Sequence, residues 1–301
     1  MGEPITLVTA TVAAGLDEDE APLRVALEAL GLQTRVAAWD DAAVDWAASS
    51  LTVIRSTWDY TDRRDEFLEW AHRVGDVARL VNPAPVLEWN TDKQYLAQLE
   101  AAGIPIVPST FFRPGDEVRL PTSGDVVVKP SVGAGSKDAG RFDARHPEPA
   151  LAHAAAMLSE GRTVLVQPYQ AAVDARGETA LLYFGGTYSH SINKGPLLPP
   201  RDPDDPSTWE PSRALFAPER ITAHEASDEE RELGDAVMAA LATVPSVGSH
   251  LDPPVYARVD VVRGDDGRCC VLEVELTEPS VFLDRSDGAA DRFAAVLAAL
   301  A

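Results

Sequence analysis

Short apolar runs alternate with amphipathic segments at the start of the chain. The runs at 5–10, 34–38 and 51–55 predict buried strands, and a helical pattern at 21–30 ends at Gly31. Strand–helix–strand order with short connections is typical of a parallel α/β sheet. We expect such a sheet over about the first 85 residues.

The pattern changes after a proline-punctuated linker at 81–85. Helical segments are predicted at 91–103, 149–161, 227–243 and 289–301, and strands at 125–130 and 163–169. Apolar runs at 178–184 and 187–192 flank Gly185-Gly186, which predicts a hairpin. The proline-rich segment 195–218 is expected to be an irregular loop.

A second hairpin carries the most informative pattern. Strand-like runs at 256–262 and 270–280 flank a polar turn at 263–268. Alternation places Arg258 with Asp260 on one face, and Glu273 with Glu275 on one face. Crowded carboxylates repel unless a cation lies between them, and oxygen ligands suit Mg²⁺. On these residues alone, an edge hairpin with one solvated face is an equal interpretation.

Composition narrows the classes of partner. The 301 residues carry a net charge of −22, which argues against nucleic acids and anionic membrane surfaces. The only cysteines, Cys269 and Cys270, are adjacent and are interpreted as reduced residues of a cytoplasmic protein. No signal peptide or membrane span is predicted. We expect a small-molecule substrate, and homo-oligomerisation is left open.

Lysine is rare in this chain, so each lysine is a candidate binding group. The four are Lys93, Lys129, Lys137 and Lys194. Lys129, like Glu273, lies in an apolar strand run, where an unpaired buried charge is costly, and this favours a functional role. Solvated surface positions remain the alternative for Lys93 and Lys137.

A polar cluster follows the third predicted strand, at the sheet edge where ligands bind. It comprises Arg55, Ser56, Thr57, Trp58 and Asp59, followed by Tyr60. Its guanidinium suits a carboxylate and its carboxylate suits an ammonium group, which are the two ends of an amino acid. A helix N-cap beside a packed tryptophan is the alternative.

A glycine-rich loop at 131–140 follows the strand that ends with Lys129. Such loops bind anions through backbone N–H groups, but neither the P-loop nor the dinucleotide-binding pattern is present. In combination, Lys93 before a Gly-Ile-Pro break, Lys129 before this loop, Gln167-Pro-Tyr169 and the acidic hairpin resemble the ATP-grasp superfamily, in the branch of glutathione synthetase and carboxylate–amine ligases.

The resemblance covers nearly the whole chain and implies an α/β ATP-grasp fold. It divides the chain into an N-terminal parallel α/β domain (1–88), a central lid (89–167) and a mainly antiparallel metal-bearing domain (168–301). By position it implies roles for three groups. Those that bind ATP are Lys93, Lys129, Ser131, Gly133, Gly135, Ser136, Lys137, Gln167, Pro168, Tyr169 and Glu178; Mg²⁺ ligands are Asp260, Glu273 and Glu275; catalytic cations are Arg258 and Lys194.

One of these positions departs from the family pattern. Asparagine is common where this chain has Glu275, so the extra acid either favours a second Mg²⁺ or pairs with Arg258. His190, next to serines in a hairpin, is interpreted as structural.

The implied reaction is ADP-forming carbon–nitrogen ligation through an acyl phosphate. The cluster at 55–60 and the Glu-Pro-Ser280 end of the hairpin also resemble actinobacterial natural-product enzymes, including the cyclo-ligase that converts O-ureido-D-serine to D-cycloserine, an antibiotic. Ser280 is therefore a further substrate candidate. Intermolecular ligation ranks ahead of cyclisation. The alternatives of another class are a nucleotide-binding protein without ligase activity and a metal-dependent sugar-nucleotide transferase.

Overall fold

The computed structural model describes residues 2–198, 219–244, 247–250 and 253–301. Most of the irregular loop expected at 195–218 lies outside these residues. Within them, the strands form a three-stranded, a four-stranded and a five-stranded sheet. None of the helices in this part of the chain is long and apolar enough to cross a membrane.

The first sheet is parallel, as its apolar runs predict. Its order is β2–β1–β3, with β1 at Ile5–Thr9, β2 at Thr34–Ala38 and β3 at Leu51–Ser56. Helices α1 (Glu20–Ala29) and α2 (Arg64–Gly75) follow β1 and β3 along the chain. The carboxyl ends of β1 and β3 therefore open onto one edge of the sheet.

Two short helices connect this sheet to the rest of the molecule. Helix α3 (Ala84–Asn90) lies where a linker is expected, with a proline in its first turn, a position that tolerates the missing N–H. Helix α4 (Tyr95–Ala101) is shorter than the predicted helix at 91–103. Both helices pack against the C-terminal sheet, although the expected domain boundary assigns α4 to the lid. The boundaries at 88 and 167 stay a prediction.

The second sheet is antiparallel and carries the glycine-rich loop. Its order is β4–β7–β5–β6, formed by Thr110–Phe112, Val164–Pro168, Asp125–Pro130 and Gly140–Asp143, with α5 (Glu148–Ser159) packed on one face. Val126 and Val128 point into that core, which leaves Lys129 on the opposite face.

The third sheet is also antiparallel, and it contains both predicted hairpins. Its order is β10–β9–β8–β11–β12, formed by Ile221–His224, Thr187–Lys194, Glu178–Phe184, Tyr256–Arg263 and Cys269–Glu275. The short helix α6 (Ala172–Arg176) precedes β8, and α7 (Asp228–Leu241) begins with a capping box at Ser227 and Glu230.

The chain closes on its own N-terminal part. Helix α8 (Ala289–Ala298) packs with β1 and α1 in one apolar cluster that also contains β8 residues. Phe293 stacks on Phe184 at a centroid distance of 4.6 Å. The N-terminal and C-terminal sheets therefore share one hydrophobic core. This core holds in place the side of the third sheet that faces the second sheet.

Candidate active site

A cleft of about 480 Å³ lies between the second and third sheets, and the loops after β1 and β3 close one end of it. A volume of this size is typical of small-ligand sites. The cleft is lined by all of the predicted ATP-binding, metal-binding and catalytic residues except Ser131 and Asp260. The fold therefore brings polar residues that are far apart in the sequence together in this cleft.

Two buried lysines lie on one side of the cleft. The Lys93 amine donates to the carbonyl oxygen of Gly133 at 2.6 Å and pairs with Glu273 at 2.8 Å. Burial alone would lower the pKa of Lys93, but the neighbouring carboxylates raise it. Burial does lower the pKa of Lys129, despite the attraction of Glu273. Both amines face a region from which water is largely excluded, so each is a strong partner for an anion.

The strand end at 167–169 forms the opposite end of the cleft. Gln167 donates to the Ser109 hydroxyl at 2.9 Å, and the Tyr169 hydroxyl donates to Asp174 at 2.6 Å. The Arg141 guanidinium lies 3.6 Å from the centre of the Tyr169 ring. The hinge side chains are thus held by protein contacts, and Pro168 lies between them on the cleft wall.

The glycine-rich loop lies over the cleft and reaches the N-terminal domain. Gly133, Gly135, Ser136 and Lys137 line the cleft, and Gly135 and Ser136 both have a φ of 58°. Such left-handed turns direct successive N–H groups to one side. Ser131, expected at the nucleotide, is instead 1% exposed, and its backbone bonds to Thr163 and Lys93.

Lys137 lines the cleft with its amine already paired. The amine donates to both carboxylate oxygens of Asp62, at 2.7 and 2.6 Å, so its predicted contact with the nucleotide stays a prediction. Asp62 ends the short helical turn Trp58–Asp62 after β3. This ion pair joins the loop to the N-terminal domain across the cleft.

The hairpin β11–β12 brings the four charged residues to one face, as alternation predicts for each strand, and its register shifts between Asp260 and Val261. Arg258 pairs with Glu275 across the strands, and Asp260 pairs with Glu273. The Arg258 guanidinium donates to Asp260 at 2.9 and 3.0 Å and also to Glu275. The Glu275 carboxylate therefore contacts Arg258, and because it also lines the cleft its role as a metal ligand stays a prediction.

Lys194 completes the buried charge network of this wall. Its amine donates to Asp260 at 2.7 Å and pairs with Glu178 at 3.1 Å. Burial lowers the pKa of Lys194, but Asp260 and Glu178 raise it far more. Asp260 is only 1% exposed and does not line the cleft, which places it as the anionic centre between two cations.

The acidic wall fits a magnesium ion, although not through the three predicted carboxylates. Among the described residues no three acidic, histidine or cysteine side chains form a ready metal cluster. Asp260 is occupied by Arg258 and Lys194, whereas Glu273 and Glu275 line the cleft. Mg²⁺ in nucleotide sites needs only one or two carboxylates, because phosphates supply further oxygens.

The pKa values of this wall support the fit. Burial raises the pKa of Glu275 to about 7, with Glu273 and Asp260 adding to the rise. Burial and the nearby Glu275 raise the pKa of Glu278 to about 8. A wall on which carboxylates oppose each other's ionisation is one that a divalent cation stabilises.

Most of the predicted substrate cluster lies in the core. Arg55 is 2% exposed and pairs with Asp17 at 3.4 Å and Asp19 at 3.3 Å, so its guanidinium is not available to a substrate carboxylate. Asp59 accepts from the Trp39 indole at 2.9 Å and pairs with Arg63 at 3.3 Å. Both charges are buried, and each therefore has a protein counterion.

Of the remaining members of the cluster, some are buried and one lines the cleft. Ser56 donates to Thr9 at 2.8 Å and Thr57 is fully buried. Only Trp58, together with the separate candidate Ser280, lines the cleft. His190 donates or accepts within its hairpin and contacts the Val281 carbonyl at 3.0 Å, as expected of a structural histidine.

Several cleft residues were not predicted. Asp17, Glu18 and Asp19 follow β1, Tyr60 follows β3, and Glu278 lies beyond β12. The first group carried a readable signal, since an acidic run at the carboxyl end of a parallel strand and before a helix lies where such sheets bind ligands. No sequence signal distinguished Glu278 from the other acids of its run.

Three comparisons agree with this architecture. A family model described as the N-terminal domain of D-cycloserine synthetase DcsG matches residues 5–82. The cycloserine biosynthesis protein DcsG of Streptomyces lavendulae is 39% identical over 303 residues, covering 98% of this chain and 97% of that protein. The crystal structure of D-cycloserine synthetase DcsG matches with a TM-score of 0.86, covering 99% of each chain.

More distant structures share the fold. The D-alanine–D-alanine ligase from Bacillus anthracis matches with a TM-score of 0.63 at 15% identity, over 99% of this chain and 96% of that one. The ATP-grasp ligase PsnB in complex with a minimal precursor matches with a TM-score of 0.61 at 19% identity, over 100% of both chains. The α/β fold expected from the sequence is confirmed.

Proposed function

This chain belongs to the ATP-grasp ligases of the D-cycloserine synthetase DcsG family, and from this we propose that it closes a ring within one amino-acid-type substrate. In the proposed reaction the γ-phosphate of ATP is transferred to the substrate carboxylate. A nitrogen of the same molecule then attacks the acyl phosphate and releases phosphate. O-ureido-D-serine is the proposed substrate and D-cycloserine the proposed product, the carbamoyl group on the ring nitrogen being lost by hydrolysis as carbon dioxide and ammonia.

Identity along the whole chain is the observation that carries this proposal. The sequence alone ranks joining of two molecules ahead of cyclisation. Identity of 39% over 98% of the chain to a cycloserine biosynthesis protein reverses that order, because it spans the N-terminal domain as well as the nucleotide-binding parts. In parallel α/β sheets the loops that end the strands bind the ligand, and here they belong to the matched region.

We place the nucleotide between the lysines and the hinge. Lys93 and Lys129 would hold phosphate oxygens, and Gln167, Pro168 and Tyr169 would flank the base, with Glu178 on the adjoining wall. The glycine loop would cover the phosphates through Gly133, Gly135 and Ser136. Closing the cleft excludes water, which otherwise hydrolyses an acyl phosphate.

Glu273 and Glu275 are the proposed ligands of a magnesium ion. When bound, this ion would neutralise charge on the phosphate oxygens. Arg258 and Lys194 supply fixed positive charge on the same wall, and Asp260 holds both in place. Because these cations are already oriented, they stabilise the developing charge without reorganisation.

The end of the cleft near the N-terminal domain suits the ammonium group of the substrate. Asp17 and Asp19 share one guanidinium, that of Arg55, so this wall keeps a net negative charge, to which Glu18 adds. The buried Oδ2 atom of Asp17 has an ion pair with Arg55 but no hydrogen bond within the described part of the chain. In this proposal the acidic wall replaces the expected roles of Arg55 and Asp59.

Substrate-dependent ADP release tests the proposal. The protein is incubated with ATP, Mg²⁺ and O-ureido-D-serine, and in parallel with single amino acids and pairs of amino acids. We expect O-ureido-D-serine alone to stimulate ADP release, with a product whose mass matches the cyclised compound. Glu273→Gln should abolish turnover, whereas Glu100→Gln, an exposed change on α4, should not.

Two results would count against ring closure. A product with the mass of two joined amino acids would return the assignment to intermolecular ligation. Nucleotide binding without ADP release under any substrate would favour a binding protein.

A further inference from the structure

Glu278 is a buried carboxyl group in the cleft with no role in the reaction as described so far. It is 6% exposed and lies beyond β12, between the Mg²⁺-facing acids and Ser280. Tyr60 also lines the cleft, and its hydroxyl lowers the pKa of the Glu278 carboxyl group. Tyr60 is itself buried and stacks on Phe67 at a centroid distance of 5.3 Å, so its hydroxyl is held in position.

The charge environment separates Glu278 from its acidic neighbours. Asp260 is paired with Lys194, Glu273 with Lys93 and Glu275 with Arg258. Within the described residues, no cation lies within 4.0 Å of the Glu278 carboxyl group. A buried acid without a counterion costs stability, and such an acid in a cleft is a candidate for proton transfer.

The position of Glu278 is on the substrate side of the cleft. Tyr60 and Trp58, which line the same cleft, come from the turn after β3, and the acids that we assign to the amino-acid substrate follow the neighbouring strand β1. The nucleotide hinge at 167–169 lies on a different sheet. Glu278 thus adjoins the region where the acyl carbon meets its nucleophile.

We propose that the Glu278 carboxylate accepts the proton of the attacking nitrogen as the carbon–nitrogen bond forms. The inference rests on the proposed ligase function, and it requires only that an N–H group attacks an acyl phosphate. The new bond joins the nitrogen to the acyl carbon, and the bond from that carbon to the phosphate oxygen breaks. The leaving phosphate takes the electron pair, and Glu278 then passes its proton to that phosphate or to solvent.

The surroundings of Glu278 contain groups that favour its protonated form and groups that favour its ionised form. Burial and the carboxylates of Glu275 and Glu273 favour the protonated acid, whereas Lys93 and the Tyr60 hydroxyl favour the carboxylate. These opposing influences leave the pKa of Glu278 above the ordinary value of a glutamate, with burial as the largest cause, which favours a group that can both accept and release a proton.

Separating the two half-reactions tests the role. Hydroxylamine attacks an acyl phosphate without a protein base, so hydroxamate formation reports the phosphoryl transfer alone. We expect Glu278→Gln to keep hydroxamate formation within a few-fold of the parent. Formation of the natural product should fall by roughly 100- to 10,000-fold, the usual contribution of a general base. Glu100→Gln is the matched control and should change neither reaction.

A second variant keeps the test independent of any folding defect. Tyr60→Phe removes the hydroxyl that stabilises the Glu278 carboxylate, so the pKa of Glu278 should rise. The alkaline rise in the rate of product formation should therefore shift to higher pH, with hydroxamate formation unshifted. A small carboxylate such as formate should partly restore product formation to Glu278→Ala.

Three outcomes would overturn the inference. If Glu278→Gln loses both half-reactions while remaining folded, the residue binds substrate or metal instead. Product formation at the parental rate excludes proton transfer by Glu278. An unshifted pH profile in Tyr60→Phe removes the role assigned to this pair. Should the parent protein form neither hydroxamate nor ADP with any substrate, it is the proposed function that fails.

Discussion

Replacement of Asp260 by asparagine separates a structural role for this carboxylate from a role as metal ligand. In the structure its two oxygens accept hydrogen bonds from Arg258 at 2.9 and 3.0 Å and from Lys194 at 2.7 Å. Asparagine offers one acceptor and turns an N–H group toward a cation. Removing one partner of a buried ion pair typically costs about 3 to 5 kcal/mol. Glu178 and Glu275 still face the two cations, so we expect the lower end of that range.

Urea unfolding without Mg²⁺ or nucleotide measures this cost. The matched control is Asp62→Asn, which breaks the exposed pair with Lys137 and should cost less than about 1 kcal/mol. Burial raises the pKa of Asp260, but Arg258 and Lys194 lower it below the ordinary value. The stability that the carboxylate contributes is therefore present above the unfolded-state pKa and is lost as pH falls through the folded-state pKa. The difference between parent and Asp260→Asn should shrink over that acidic range.

The opposite result would refute this reasoning. If Asp260 were mainly a metal ligand, its repulsion from Glu273 would dominate the metal-free protein. Asp260→Asn would then be as stable as the control or more stable, and its loss would appear only as weaker Mg²⁺ binding. The sign of the change in unfolding free energy decides between the two roles.

Three further predictions concern the cleft and its closure. Lys129→Met should abolish ATP binding measured by calorimetry; because burial lowers the pKa of Lys129, binding to the parent should weaken on alkalinisation earlier than for an ordinary lysine. Asp19→Ala removes the acceptor of the N–H groups of residues 281–283, at 2.7, 3.1 and 2.7 Å, and should lower the unfolding free energy by about 3 kcal/mol or more, measured with urea. Lys137→Ala should leave stability within about 1 kcal/mol of the parent but raise the ratio of ADP to product, because a loop released from Asp62 admits water to the acyl phosphate. An unchanged ratio would mean that this ion pair does not control closure.

The hairpin and the faces of its charged residues could be predicted because that information is local. Strand alternation places Arg258 with Asp260 and Glu273 with Glu275, but the pairing of Arg258 with Glu275 and of Asp260 with Glu273 depends on a register shift between Asp260 and Val261 that the pattern does not indicate. The parallel sheet followed from the order of its strands for the same reason. Helix α3 was not predicted because Pro83 and Pro85 indicate a linker, although prolines are tolerated at the start of a helix.

The partners of the charged residues could not be predicted, because they depend on distant parts of the chain. Arg55 is separated by 36 positions from Asp19, and Lys137 by 75 positions from Asp62. A guanidinium in such a motif can pair with a ligand or with a buried carboxylate, and the sequence pattern is the same in both cases. The three-dimensional fold determines which of the two partners lies next to the guanidinium. In our proposal the acids after β1 take the place in the substrate site that the sequence pattern gave to Arg55 and Asp59.

The charge of the protein as a whole and the charge of its cleft act on different length scales. A net charge of −22 opposes extended polyanions, yet ATP is itself an anion. Surface charges are screened beyond about 8 Å at physiological salt, whereas buried charges interact through a medium of low dielectric. Lys93, Lys129, Lys194 and Arg258 are buried around the cleft, so a small share of the basic residues acts where attraction is strongest. An acidic surface is therefore compatible with nucleotide binding, and in our proposal the acids after β1 leave the other end of the same cleft to a cationic substrate group.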